Sequence, residues 1–304
     1  MSLVVVGTVA FDAIETPNGK RDRVVGGSAT YFSLSASHFY KNIKIVSIIG
    51  SDFDQDTLDA LHERGVDTAG IDIREGEKSF FWSGRYHNDF NNRDTLATDL
   101  NVLLKFDPVL PESYTDAKYL MLANIDPVLQ LKVLDQIKQR PDFIMLDTMN
   151  FWMDTALDPL LEVMKRVDIL TINDEEARQL SGEFFLPKAA KKILAMGPKY
   201  LIIKRGEYGA MLFDNYRVYF APALPMEEIS DPTGAGDTFA GGFLGEIAST
   251  NDLSFEGMKR AIMKGTVMAS FCVEDFGPEN MLRLNKSGVD QRILEWKVLA
   301  TPPS

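Results

Sequence analysis

Six short apolar runs recur along this chain, and each leads into a segment with helical spacing. They are "LVVVG" (3–7), "IKIVSIIG" (43–50), "YLMLAN" (119–124), "FIMLD" (143–147), "DILTIN" (168–173) and "YLIIK" (200–204). Each is apolar on both faces, as a strand buried within a parallel sheet must be. Helices are expected over 28–40, 54–64, 127–139, 155–166, 174–181, 187–196, 235–249 and 254–272. Repeated βα units predict an α/β fold, a Rossmann-like parallel sheet with helices on both faces. The 304 residues are 45% hydrophobic, enough apolar material for a proper core, and a single domain over 1–304 is expected.

Two segments interrupt the alternation. Residues 12–25, "DAIETPNGKRDRVV", are turn-rich and suggest a hairpin. In residues 71–98, Phe80, Trp82 and Tyr86 alternate with Phe81, Ser83 and Arg85. That is the period of a strand with one covered face. Both segments are expected to stand off the main sheet as a small β lid over a site, the blander alternative being surface hairpins. A lid sheet has open edges, and open edges are commonly protected by pairing, so a homodimer through the lids is expected.

The stretch "SDPTGAGDTFAGGFLG" (230–245) carries the chemistry. It is not a phosphate loop of the G-x-x-x-x-G-K-[ST] type, which occurs nowhere in the chain. It is not a dinucleotide fingerprint either, because Phe239 stands where the third glycine belongs and no strand directly precedes it. Asp231, Pro232 and Thr233 read as a turn feeding a helix that starts near Gly234. Small residues at Gly234, Ala235 and Gly236 leave backbone N–H groups uncovered, and with the helix dipole these make an anion site. Asp237 lies beside it. A base next to an anion hole is what phosphoryl transfer to an alcohol requires. The plainer alternative, an acidic residue in a well-capped first turn, carries equal weight on these residues alone.

The segment "DPTGAGDTF" resembles the C-terminal signature of the ribokinase-like, or PfkB-type, carbohydrate kinases, a family that includes adenosine kinases. "GGSATYFSLSAS" (26–37) is similar to its N-terminal signature, "NDEE" (173–176) to its N-x-x-E motif, and "KRGEYGA" (204–210) to its nucleotide-side turn. In order and spacing these features cover nearly the whole chain. The resemblance implies an ATP- and Mg2+-dependent kinase acting on a hydroxymethyl group. Asp237 would be the catalytic base, with Gly234, Ala235 and Gly236 forming the anion hole. Asn173 and Glu176 would organise magnesium and phosphate, Glu176 through water; the same pair also reads as a capping box. Lys204, Gly206 and Gly209 would form the turn under the nucleotide, and residues 265–277 would wall the adenine, closed by Phe276 and Gly277. On the acceptor side, Asp12 would bind substrate hydroxyls, with Gly26 and Gly27 allowing close approach and Ser28 and Tyr31 lining the pocket. Asp231 matches a position that in some members helps to hold a potassium ion.

The departures concern the acceptor. Ala10 stands where ribokinases carry asparagine, and Ser28 and Tyr31 replace a lysine and an asparagine. "DTMN" (147–150) lacks the arginine pattern of ketodeoxygluconate kinases. The expected pocket is less polar and more aromatic than a ribose pocket, with Tyr31, Phe80 and Trp82 available. The acceptor is a sugar or sugar-like molecule on this expectation, with a nucleoside as the alternative. A catalytically silent sugar- or nucleotide-binding sensor is a rival that the intact G-A-G-D and N-x-x-E disfavour, and the missing dinucleotide fingerprint disfavours an oxidoreductase.

Charge and cysteine usage bound the partners. A net charge of −12 argues against nucleic acid, which needs a basic face. No run reaches membrane-spanning length, and "MSLVVVGTVAFD" reads as a first strand in place of a signal peptide. The single cysteine, Cys272 in "VMASFCV", permits no internal disulfide and fits a reducing cytoplasm.

Overall fold

A computed structural model describes residues 2–301. Thirteen strands are present among them: β1 (Leu3–Val6), β2 (Ala10–Thr16), β3 (Gly19–Gly26), β4 (Ile43–Gly50), β5 (Val66–Arg74), β6 (Phe81–Tyr86), β7 (Arg93–Asp99), β8 (Tyr119–Leu122), β9 (Phe143–Asp147), β10 (Ile169–Asn173), β11 (Tyr200–Lys204), β12 (Ala210–Phe213) and β13 (Val218–Ala221). The α-helices are α1 (Ser28–Ala36), α2 (Gln55–Glu63), α3 (Pro127–Gln136), α4 (Asn150–Thr155), α5 (Leu157–Met164), α6 (Asp174–Ser181), α7 (Leu186–Leu194), α8 (Ala235–Thr250), α9 (Phe255–Cys272), α10 (Glu279–Arg283) and α11 (Lys286–Ala300).

Nine strands form the main sheet in the order β13-β12-β11-β10-β9-β8-β1-β4-β5. All pairs from β5 to β11 are parallel, and the last two strands turn back antiparallel. Successive residues of β1 serve opposite faces. Leu3 and Val5 join a core with α1, α2, α8, α9 and α11, while Val4 and Val6 join a core with α3, α5, α6 and α7. Each fully buried Val, Leu, Ile or Phe contributes roughly 1.5–3 kcal/mol relative to an exposed one. Every interior parallel strand therefore has to be apolar on both sides, as the six runs are, whereas β5 at the edge is polar and largely exposed. Strand order reverses between β1 and β8. In such sheets the ligand crevice lies outside the carboxyl ends of the strands at that reversal.

The other four strands make a separate sheet, β3-β2-β6-β7. It corrects the sequence-based boundary in one place. Residues 71–74 belong to β5, which runs parallel to β4 in the main sheet, so the second part of the small sheet begins at Phe81. The small sheet is fastened to the main body. Thr16 Oγ1 donates to the Ser230 carbonyl at 2.9 Å and Asn18 Nδ2 to the Ile229 carbonyl at 2.6 Å. A minor core of Ile14, Tyr86 and Phe276, flanked by Val24 and Trp82, fills the space between. The helix expected over 155–166 is preceded by α4 and interrupted at Ala156, whose backbone leaves helical geometry (φ −144, ψ 40). Helices α10 and α11 were not anticipated, although Val289, Ile293 and Trp296 of α11 are buried at helical spacing.

Candidate active site

The turn into α8 is built by Asp231 and Gly234. Asp231 Oδ1 accepts the Thr233 N–H at 2.8 Å and Oδ2 accepts the Gly277 N–H at 3.2 Å. Gly234 caps α8 with φ 76, the left-handed region where only glycine is unstrained. A Cβ there would also stand 2.4 Å from the Tyr31 ring. Glycine is required for both reasons. The Ala235 N–H donates to the Pro232 carbonyl at 3.2 Å, whereas no described residue accepts from the N–H of Gly234 or Gly236. Of the expected anion-hole residues, Ala235 is thus engaged in the turn, and Gly234 and Gly236 carry open donors.

Asp237 sits half-buried in the first turn of α8. Burial, reinforced by the nearby Asp147 carboxylate, pushes it up to about 7, against the pull of Lys204. Lys204 ends β11, and its Nζ lies 3.1 Å from Asp147 Oδ1 and 3.0 Å from where a Cβ on Gly236 would be. Burial works to lower the Lys204 ammonium, but Asp147, Glu176 and Asp237 hold it above its ordinary value. Asp147 is itself raised, because its burial outweighs the attraction of the one lysine.

Asn173 and Glu176 form a reciprocal cap at the start of α6. Asn173 Oδ1 accepts the Glu176 N–H at 2.8 Å, and Glu176 Oε2 accepts the Asn173 N–H at 2.8 Å. Capping occupies one oxygen of each group and leaves the second Glu176 oxygen without a bond to any described residue. Burial is the main cause that pushes Glu176 up to about 7. Asn173, Asp147 and Lys204 end neighbouring parallel strands, with Asn173 directly beside Lys204 in register. These side chains and the start of α8 therefore converge at the carboxyl edge of the sheet.

On the acceptor side, Asp12 lies on β2, buried, and none of the described residues donates a hydrogen bond to its carboxylate. Burial first, then Asp231 and Asp237, push it up to about 8. A Cβ on Gly26 would stand 2.0 Å from Asp12 Oδ2, so the close approach at Gly26 is made by the aspartate itself. Ser28 is a brace: its Oγ accepts the Thr8 N–H at 3.1 Å, and its N–H donates to Thr8 Oγ1 at 3.0 Å. Gly27 caps α1 beside it. Tyr31, expected to line the pocket, is fully buried beneath Gly234, and its hydroxyl has no partner among the described residues. Gly206 and Gly209 bracket the turn after β11 as expected. Phe276 and Gly277, expected to close the adenine wall, both have partners within the protein. Phe276 packs in the minor core under the lid with the Arg21 guanidinium 4.7 Å from its ring centre, and Gly277 binds Asp231.

Sequence reasoning passed over Asp147, whose signal was a carboxylate at the end of a buried strand, two strands from Lys204. Among the described residues no group of three or more His, Cys, Asp or Glu is placed to hold a metal directly. No helix among the described residues is long and apolar enough to cross a membrane.

The pfkB family carbohydrate kinase model matches residues 2–284. A cytidine kinase of Thermococcus kodakarensis is 34% identical over 251 residues, covering 80% of this chain and 87% of that protein. A Burkholderia thailandensis nucleoside kinase crystallised with inosine superposes with a TM-score of 0.79 at 19% identity, over 97% of both chains. An Escherichia coli protein described as a ribokinase II, in complex with ATP and Mg2+, gives 0.80 at 19% identity over 97% of this chain and 99% of that one. With the family match running nearly end to end over a fold of the same design, this chain belongs to the pfkB family of carbohydrate kinases.

Proposed function

We propose that the protein transfers the γ-phosphoryl group of ATP, as its magnesium complex, to a hydroxymethyl group of a nucleoside. That it is a sugar or nucleoside kinase follows from its family. The choice of nucleoside rests on one pairing. In the parallel register of β2 and β6, Asp12 stands directly beside Trp82. A carboxylate accepts the two hydroxyls of a vicinal diol, and an indole offers a flat apolar face. A pentose carrying a planar base presents both features, and a free sugar only the first. The cytidine kinase relative supports the same choice.

The chain's own groups divide the work. Asp237 takes the proton of the attacking hydroxyl. The open Gly236 N–H at the start of α8, with the helix dipole, receives the charge of the transferred group. Lys204, held by Asp147, lies against the same spot as a compact positive charge. The residues fit a polyphosphate, since a glycine leaves room beside an open amide and a buried ammonium faces it. The uncapped oxygen of Glu176 fits a magnesium that keeps its waters, the usual state of that ion. Magnesium when bound neutralises phosphate charge. Asp231, buried and without a cationic side chain beside it, fits a potassium ion. The four-stranded sheet acts as a lid that keeps water from competing as acceptor, and its open edge β7, largely exposed, pairs two copies into a homodimer. A lone buried Cys272 fits a cytoplasmic enzyme.

Measuring ADP release with cytidine, uridine, adenosine, inosine, ribose and fructose tests the acceptor. Cytidine or another nucleoside should give the highest kcat/KM. Ribose or fructose turning over faster than every nucleoside would refute the nucleoside assignment.

A further inference from the structure

A cleft on the helical side of the molecule lies far from the catalytic groups. Its walls include His38 and Phe39 just after α1, Ser249 near the end of α8, Lys264 of α9, and Lys286 and Asp290 of α11, and it encloses about 210 Å³. Helices α1 and α8 both start at the site described above, capped by Gly27 and Gly234, and both run out toward this cleft. At 1.5 Å per residue, Ser249 stands roughly 18 Å along α8 from Asp237. No group of the catalytic site lines it.

The cleft gathers positive charge in a chain whose net charge is −12. Lys264 and Lys286 reach it from two different helices, and neither forms an ion pair with a described residue. Lys264 Nζ rests over the Phe39 ring, 5.3 Å from its centre. Asp290, one turn after Lys286, is the single carboxylate among these wall residues and pairs with neither lysine. Lys286 is also the first residue of α11, where the helix dipole disfavours a cation and favours an anion. The Asn285 side chain accepts the Gly288 N–H, while no described residue accepts from the N–H of Lys286 or Ser287.

A further cation stands behind the wall. Arg64 Nη1 lies 3.4 Å from His38 Nε2, and its Nη2 donates to the carbonyls of Met281 and Leu282 at 3.2 and 2.5 Å. Those carbonyls are neutral, so they leave the guanidinium charge in place. Burial first, then Arg64 and Lys41, push His38 down to about 4, so its imidazole is neutral at pH 7. The cleft thus offers ammonium, hydroxyl and amide donors with one unengaged carboxylate against them. It is smaller than the usual site for a drug-sized ligand, which suits a compact anion. A phosphate carries enough charge for two lysines and enough oxygens for donors that arrive from three helices.

We propose that this cleft binds a phosphate group, as the free anion or as the end of a small phosphate monoester, between Lys264 and Lys286. The bound group offsets both lysines and ties the start of α11 to α8 and α9. Binding breaks and forms no covalent bond, and the site stands whether or not the chain phosphorylates a nucleoside.

The test uses the full-length protein labelled with ¹⁵N-histidine. His38, His62 and His87 are its three histidines, so replacing each in turn assigns the imidazole signals. At pH 7 and low salt, inorganic phosphate should move the His38 signals with a Kd on the order of 1 mM and leave those of His62 and His87 in place. Added NaCl at about 0.3 M should weaken binding by about threefold or more. The Lys264→Gln/Lys286→Gln double variant should keep the wild-type circular dichroism and raise that Kd by about tenfold or more. Phosphate at about 20 mM should raise the wild-type Tm by about 3 °C and that of the double variant by less. Ribose 5-phosphate, titrated in the same way, separates the two sources. A Kd about tenfold below that of phosphate identifies a phosphate monoester, and an equal Kd identifies the phosphate group alone. His38 signals that neither compound moves at about 20 mM would overturn the proposal. So would equal shifts in wild type and the folded double variant, because the anion would then sit away from the two lysines.

Discussion

Replacing Asp237 by asparagine separates two accounts of one residue. If it serves only to complement the dipole of α8, it contributes about 0.3–1 kcal/mol of helix stability, and an asparagine of nearly the same size would lose little. If it is the base, asparagine cannot take the proton, and kcat should fall by about 10²–10⁴-fold, roughly 3–5 kcal/mol of barrier. The structure adds a sign for stability. Burial and Asp147 push Asp237 from 3.8 up to about 7, so folding disfavours its ionised form by about 4 kcal/mol at most, and by less after discounting its partial solvent access. A carboxyl raised in this way contributes stability below pH 4 that is lost as pH rises through 7. Asparagine has no proton to lose, so Asp237→Asn should be the more stable protein at pH 8, by about 1–3 kcal/mol, with Tm raised by several degrees. ATP affinity should change in the same direction. A unit charge about 6 Å from the phosphates repels by about 3 kcal/mol at an effective dielectric constant near 20, and magnesium offsets most of it, so a gain below about tenfold is expected. Coupled ADP release, thermal melts and calorimetric ATP titration on the purified variant read all three. A folded Asp237→Asn enzyme with kcat within a few-fold of wild type would show Asp237 to be a capping residue and refute the proposed chemistry.

Asp12→Ala should raise the acceptor KM by about 30-fold with ATP binding nearly unchanged, from the loss of two hydrogen bonds worth together about 2 kcal/mol; an unaltered acceptor KM removes Asp12 from the site. With Asp237 and Glu176 both at about 7 in the free protein, kcat/KM should fall as pH drops through 7, and a profile flat from pH 6 to 9 would contradict the base assignment. Potassium in place of sodium should raise the rate if an ion sits at Asp231, whereas equal rates in both salts argue that none is needed. Sedimentation should show a homodimer, and a proline in the middle of β7 at Thr95 should weaken it by removing edge hydrogen bonds; a wild-type monomer at micromolar concentration would rule out pairing through the lids.

The six interior parallel strands of the main sheet were legible because such strands must be apolar on both faces, whereas the edge strand β5 and the antiparallel β12 and β13 went unread. The lid was legible in part, through the alternation at Trp82 and Tyr86. Its boundary was misplaced because Ile71 and Ile73 of β5 alternate in the same way along the outermost parallel strand, and period alone does not say which sheet a strand joins. Asn173 with Glu176 was readable as a capping box and is one, so a local signal there coincides with a site.

Sequence by itself determined the reaction class through the resemblance of four segments to a kinase family, because the residues of "GAGD" alone fit a capped first turn equally well. A short run, "GAGD", joins an open helix start to a carboxylate, and neighbours in the chain remain neighbours in any fold. Tertiary structure decided everything that depends on residues far apart in the chain. It placed Asp147 on Lys204 and Tyr31 under Gly234. It packed Phe276 against Ile14 and Tyr86 in the lid's minor core. These placements follow from strand order and register, which depend on how whole faces pack together. No local window of sequence carries that information.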